Sequence, residues 1–154
     1  MRLNTIQQLA EEIFEKDPEY SVAFSVFEKW LSIEECQERL MCVAEVDTFE
    51  KWEKIKSRER QYIALLLELN FSYGIIFVNS EYEELQENIA FNDIFLLCSK
   101  HIMQDQKMLF YLKKQSVFIL LKYDFTILIY GGVTDENFYR ILKTCGFHQL
   151  PLLQ

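Results

Sequence analysis

Three apolar runs, at residues 108–112, 117–122 and 126–130, follow one another with only short polar gaps at 113–116 and 123–125. Each run is rich in β-branched and aromatic residues, the composition of a strand. Gaps this short cannot return the chain for parallel pairing, which takes a dozen residues or more, but they suit hairpin turns. The stretch therefore predicts an antiparallel meander, the element that most narrows what the chain can become. Gly131-Gly132 breaks the last run, and Thr134-Asp135 offers a helix cap. Beyond it Phe138, Ile141, Leu142 and Cys145 recur at i, i+3, i+4 and i+7, one apolar helix face, and Gly146 supplies a left-handed stop.

Upstream the pattern is mainly helical. Ile6, Leu9, Ile13 and Phe14 predict a helix over 4–16, with Asn4 or Thr5 as cap and Asp17-Pro18 as terminator. Residues 20–31 fit two periods: Val22, Phe24 and Val26 alternate, while Phe24, Phe27 and Leu31 share a helical face. The helical reading is preferred. Ser32 and Glu35 form a capping box opening a helix to about Ala44. Asp47 or Thr48 starts another, marked by Phe49, Trp52, Ile55 and Lys56, and Ser57 begins one more through Tyr62, Leu66 and Leu69 to Asn70. Residues 73–78 read as a buried strand. Ser80 and Glu83 make a second capping box, introducing a helix to about Ile89, and Asn92-Asp93 can cap the next through Ile102, although residues 94–98 alone also fit a strand. With no repeat, linker or low-complexity tract, the 154 residues are expected to form a single globular domain, 1–154. The expected class is α+β: a helical N-terminal half packed on one face of a small, mainly antiparallel sheet, with a C-terminal helix.

Charge is unevenly placed. Residues 61–99 carry six acids (Glu68, Glu81, Glu83, Glu84, Glu87, Asp93) and no Lys or Arg, within a chain whose net charge is −8. Such a balance argues against nucleic acid, whose binders set cations against phosphates. Either the acidic stretch is a solvated face balanced by Lys113, Lys114 or Lys122, or it is a docking face for a basic protein. Tyr82, between Glu81 and Glu83, has the composition of an interface: aromatic contact area beside carboxylates that select Lys or Arg. The candidate partner-binding residues are thus Glu81, Tyr82, Glu83, Glu84, Glu87 and Asp93. The densest basic run, Lys51, Lys54, Lys56, Arg58 and Arg60, is interleaved with Glu50, Glu53 and Glu59. It reads as a solvated helix face, with Glu50–Lys54 and Glu53–Lys56 as ion pairs.

Chemistry-bearing motifs are absent. There is no P-loop, GxGxxG, HExxH or GxSxG. Cys36, Cys42, Cys98 and Cys145 form no CxxC pair and are expected to be reduced, buried thiols of a cytoplasmic protein; no metal site is expected. No segment reads as a signal peptide or a membrane span. His101 with Cys98 and Asp105 is the least implausible catalytic cluster. Residues 127–130 followed by 137–147 resemble the end of a GNAT-type acetyltransferase, over about 20 residues. That resemblance implies a glycine-rich turn holding the cofactor's pyrophosphate, which this chain lacks: residues 61–99 contain Gly74 alone and no Arg. No cofactor is expected.

These observations favour a small acidic protein-binding domain over an enzyme. Its most concrete form is an immunity-protein or antitoxin-like inhibitor of a basic, nuclease-type partner. The alternatives are an enzyme assembled around His101 and a homo-oligomeric structural or regulatory protein held by its abundant aromatics.

Overall fold

The computed structural model describes residues 2–40, 42–79, 84–104, 106–132 and 135–153. In chain order the described elements are α1 (Leu3–Lys16), β1 (Val22–Ser25), α2 (Ile33–Arg39), a 3₁₀ turn (Val43–Glu45), α3 (Phe49–Tyr73), β2 (Ile75–Asn79), β3 (Glu84–Gln86), α4 (Phe91–Met103), β4 (Met108–Leu112), β5 (Val117–Leu121), β6 (Thr126–Tyr130), α5 (Glu136–Thr144) and β7 (His148–Leu150). The fold is α+β. Its sheet is antiparallel throughout, in the order β3-β2-β4-β5-β6-β1-β7, so the meander lies at its centre.

Every residue of β4, β5 and β6 is buried, and the pleat sorts them between two cores. Phe110, Leu112, Val117, Ile119, Ile127 and Ile129 face one side, where α3, α4 and α5 supply Leu66, Leu69, Ile94, Phe138 and Leu142. Leu109, Tyr111, Phe118, Leu120, Leu128 and Tyr130 face the other, covered by Ile6, Ala10 and Ile13 of α1. Those three residues sit at i, i+4 and i+7, the stripe one helix can lay on a sheet. A second tie holds the α3 end to α5. The Tyr73 hydroxyl donates to Asp135 Oδ1 at 2.7 Å, while the same carboxylate caps α5 through the Phe138 N–H and accepts from Gln115 Nε2. Burial and the Asp135 carboxylate push the Tyr73 hydroxyl up to about 12, and the Tyr73 bond holds the Asp135 carboxyl below its ordinary value.

Several expectations are corrected. Helices cover both faces of the sheet rather than one, for α3, α4 and α5 pack on one side and α1 on the other. Residues 22–25 are strand: Val22 and Phe24 enter one core and Ala23 the other, and β1 satisfies the backbone of β6 and β7. The helix opened by Ser32 stops at Arg39, with only a 3₁₀ turn reaching Glu45. Residues 49–73 form one helix, for no Gly or Pro interrupts them and Ser57 lies exposed within it. Of the face expected at its start, only Ile55 is buried; Phe49 is 77% exposed. Residues 84–86 are strand, not helix, because Val78 and Asn79 of β2 pair with Leu85 and Glu84. The capping box Ser80–Glu83 lies outside the described residues. α1 begins at Leu3 with Arg2 in the cap position and no side-chain cap, so Asn4 and Thr5 do not act as one. Among the described residues no helix is long and apolar enough to cross a membrane.

Ile13 on α1 and Leu66 on α3 lie in separate cores, on opposite sides of the sheet. We expect Ile13→Ala and Leu66→Ala each to cost about 2–5 kcal/mol, and the double variant to cost their sum within about 0.5 kcal/mol. Urea unfolding checks this; strong non-additivity would show that the two cores are mechanically one.

Candidate functional site

The acidic stretch singled out in the sequence divides in the structure. Glu84 is exposed on β3, the strand at one end of the sheet. It lines a groove of about 270 Å³ between that edge and α1, with Glu11, Phe14, Glu15, Val78 and Leu85. Glu11 and Glu15 are one helical turn apart, so like charges face the groove at a cost of a few tenths of a kcal/mol. Among the described residues no Lys or Arg lies within ion-pair distance of Glu11, Glu15 or Glu84; the neighbouring Glu12 pairs with Lys16 at 3.9 Å. Phe14, Val78 and Leu85 give the same groove an apolar floor. The arrangement can hold a cationic side chain whose aliphatic stem packs on the floor.

Glu87 and Asp93 are committed elsewhere. Glu87 lies 3.6 Å from Lys113, the balancing contact foreseen for a solvated face. Asp93 accepts from the Ala90 N–H at 2.9 Å, fastening the first turn of α4. The helix expected to run to about Ile89 does not place Glu84 and Glu87 on one face, since 84–86 are strand. Glu81, Tyr82 and Glu83 lie outside the described residues. Sequence reasoning missed Glu11 and Glu15, which are far from Glu84 along the chain and join it only through the sheet. It also missed an apolar display on the same acidic stretch: Phe71 is 90% exposed, Phe91 58%, Phe95 45% and Leu96 59%.

The cluster around His101 is sealed. His101 is buried, edge-on to Tyr62 at 4.9 Å between ring centroids, with Nδ1 against the Gln106 carbonyl. Cys98 is buried beside it, and burial pushes its thiol up to about 12. A thiol so hard to ionise is a poor nucleophile at neutral pH. Asp105 lies outside the described residues. Among the described residues no three His, Cys, Asp or Glu side chains gather to hold a metal. His148, just beyond α5, lies in β7 opposite Ser25 of β1.

The expectation of four buried thiols holds for Cys98 alone; Cys36, Cys42 and Cys145 are half-buried. Iodoacetamide on the native protein should therefore modify Cys36 and Cys42 readily and Cys98 only after denaturation, as read by peptide mass spectrometry. Native labelling of Cys98 as fast as Cys36 would mean that the α3–α4 core opens.

Compared with protein families, with curated proteins and with solved structures, the chain matches none.

Proposed function

We propose that this chain is a protein-binding domain that takes a basic partner in the groove between α1 and β3. The observation that carries this reading is the meeting of Glu11, Glu15 and Glu84 over an apolar floor, with no cation paired to them among the described residues. Three carboxylates in one groove repel one another, and an incoming Lys or Arg relieves that repulsion while its stem covers Phe14 and Leu85. Complementary charge of this kind raises the association rate and rejects acidic competitors. Glu81, Tyr82 and Glu83, which directly precede Glu84 in the chain, lie outside the described residues, so the reading rests on Glu84 with Glu11 and Glu15. Glu87 and Asp93 contribute less, because Lys113 and the α4 backbone already engage them.

The most concrete form of the proposal is an immunity-protein or antitoxin-like inhibitor of a basic, nuclease-type toxin, working in the cytoplasm. An acidic groove suits that role, since a nuclease must display cations to hold its own substrate. The test uses Glu11→Lys combined with Glu84→Lys. Both residues are exposed, so stability should change by no more than about 0.5 kcal/mol. Tagged wild-type protein should retain a basic protein from its source lysate at low salt and release it at high salt, and the double variant should retain none. Equal retention by the two proteins would defeat the proposal.

A second reading, self-association, draws on Phe91, Phe95 and Leu96, which leave one flank of α4 apolar and exposed. Contiguous exposed apolar area of this kind marks interaction surfaces. On that reading sedimentation equilibrium shows a dimer that Phe95→Glu converts to a monomer; a wild-type monomer at high concentration removes it.

A further inference from the structure

The basic run of α3 has a destination that the acidic groove does not explain. Arg58 and Lys54 project from α3 into a second groove, of about 510 Å³, where Arg39 of α2 meets them beside Phe27, Ile55 and Phe125. Both guanidinium groups stack on one aromatic ring: Arg39 Cζ is 4.7 Å and Arg58 Cζ 5.6 Å from the centroid of Phe27. Neither expected intrahelical pair forms: among the described residues Glu50 makes no ion pair with Lys54, Glu53 lies 3.8 Å from Arg60, and Lys56 pairs with Glu59 at 3.0 Å. Among the described residues none of Arg39, Lys54 and Arg58 has a carboxylate within 4 Å. Arg58 is half-buried and its guanidinium is held below its ordinary value, first by burial and also by the Arg39 charge. The Phe27 ring attracts each cation modestly.

We propose that this groove binds a small organic phosphomonoester, its phosphate between Arg39 and Arg58 and its organic part on Phe125 and Ile55. Guanidinium forks match phosphate oxygens two at a time, which a lysine cannot do. The charge also fits. Lys51, at the rim, is already paired with Asp47 at 2.8 Å. The remaining lining charges are Arg39, Lys54 and Arg58 against Glu38, a surplus of two positive charges. A phosphomonoester carries about −1.5 to −2 at neutral pH, whereas a polyphosphate or nucleic-acid strand would overshoot that surplus and meet Glu38. The size falls within the roughly 300–1,000 Å³ typical of small-molecule pockets. Phe125 adds a structural sign. It holds a positive φ of 62° in the β5–β6 turn, a conformation costly for an aromatic residue, and its ring packs against Tyr62. That strained turn places the ring on the groove wall.

The site lies on the α3 side of the sheet and shares no residue with the acidic groove, so the two proposals stand or fall separately. Isothermal titration calorimetry with phenyl phosphate, AMP, phenol and inorganic phosphate tests it. We expect both esters to bind at least about tenfold more tightly than inorganic phosphate, and phenol not to bind. Arg39→Gln and Arg58→Gln should each weaken the esters about tenfold or more, and Lys54→Gln by less; Lys100→Gln, on α4, should change nothing. Because Arg58 is half-buried, circular dichroism of its variant is read alongside, and Arg39→Gln with Lys54→Gln carries the test if Arg58→Gln unfolds. No heat with either ester, or ester binding indifferent to Arg39→Gln, overturns the proposal. Tighter binding of a phosphoserine peptide than of either ester overturns the small-molecule assignment in favour of a protein ligand.

Discussion

The central strands are buried on both faces, and much of the molecule follows from that. An antiparallel strand with one wet face would alternate apolar and polar residues; β4, β5 and β6 cannot, because each of their side chains is covered. Two covers are therefore needed, and the chain supplies them unequally. Three helices pack on one face and α1 alone on the other. Seven strands at ~4.8 Å spacing span roughly 29 Å. A 14-residue helix is about 21 Å long and ~10–12 Å across. Whichever way it lies, α1 cannot reach both margins of the sheet. Grooves flank it on both sides, the acidic one toward β3 and another of about 240 Å³ beside Phe118 and Tyr130. The candidate site is thus a consequence of fitting one helix to a wide sheet. The charge within it is what sequence adds.

Charge is sorted across the sheet as well as along the chain. The acidic groove borders the α1 core, through Ala10 and Val78; the basic groove borders the α3 core, through Phe27 and Ile55. A sheet and the layers on either side separate the two by roughly 20 Å, more than the ~8 Å screening length at physiological salt. Each groove then presents its own sign to an approaching ligand, undiminished by the other. The net charge of −8 hides this arrangement, since it describes an average that neither surface displays.

How far the sequence disclosed the structure depended on whether one periodicity stood alone. In the meander and α5 a single pattern, bounded by Gly and short turns, left no competitor, and those elements formed where expected. Residues 22–26 satisfied two periods at once, and pairing with β6 decided for strand, a contact more than a hundred residues away that no local window contains. Residues 84–86 were drawn toward helix by a capping signal upstream, but Leu85 between Glu84 and Gln86 is also a strand pattern, and β2 offered an edge to pair with. Glu84 was legible from charge alone. Its companions Glu11 and Glu15 were not, because α1 reaches β3 only after the sheet is assembled. The basic run misled for a related reason: intrahelical Glu–Lys spacing is a permissive condition, and Arg39, from another helix, gave Arg58 a neighbour that the spacing could not show.

Recognition at the acidic groove is constrained by the edge beside it. An open strand edge invites any extended chain to pair with it, and proteins limit this with short edge strands, charges and proline. Both ends of this sheet carry such guards. β7 has three residues and is followed by Pro151; on β3 the described residues, Glu84–Gln86, carry the exposed Glu84. The described residues of this edge offer few backbone hydrogen bonds to an added strand. What remains to discriminate there is the charge of Glu11, Glu15 and Glu84 and the apolar floor beneath them. On the proposed reading a partner at this edge is selected by its side chains: a neutral extended segment gains little, and an acidic one is repelled. The same carboxylates that guard the edge against indiscriminate pairing set the terms on which it can be bound.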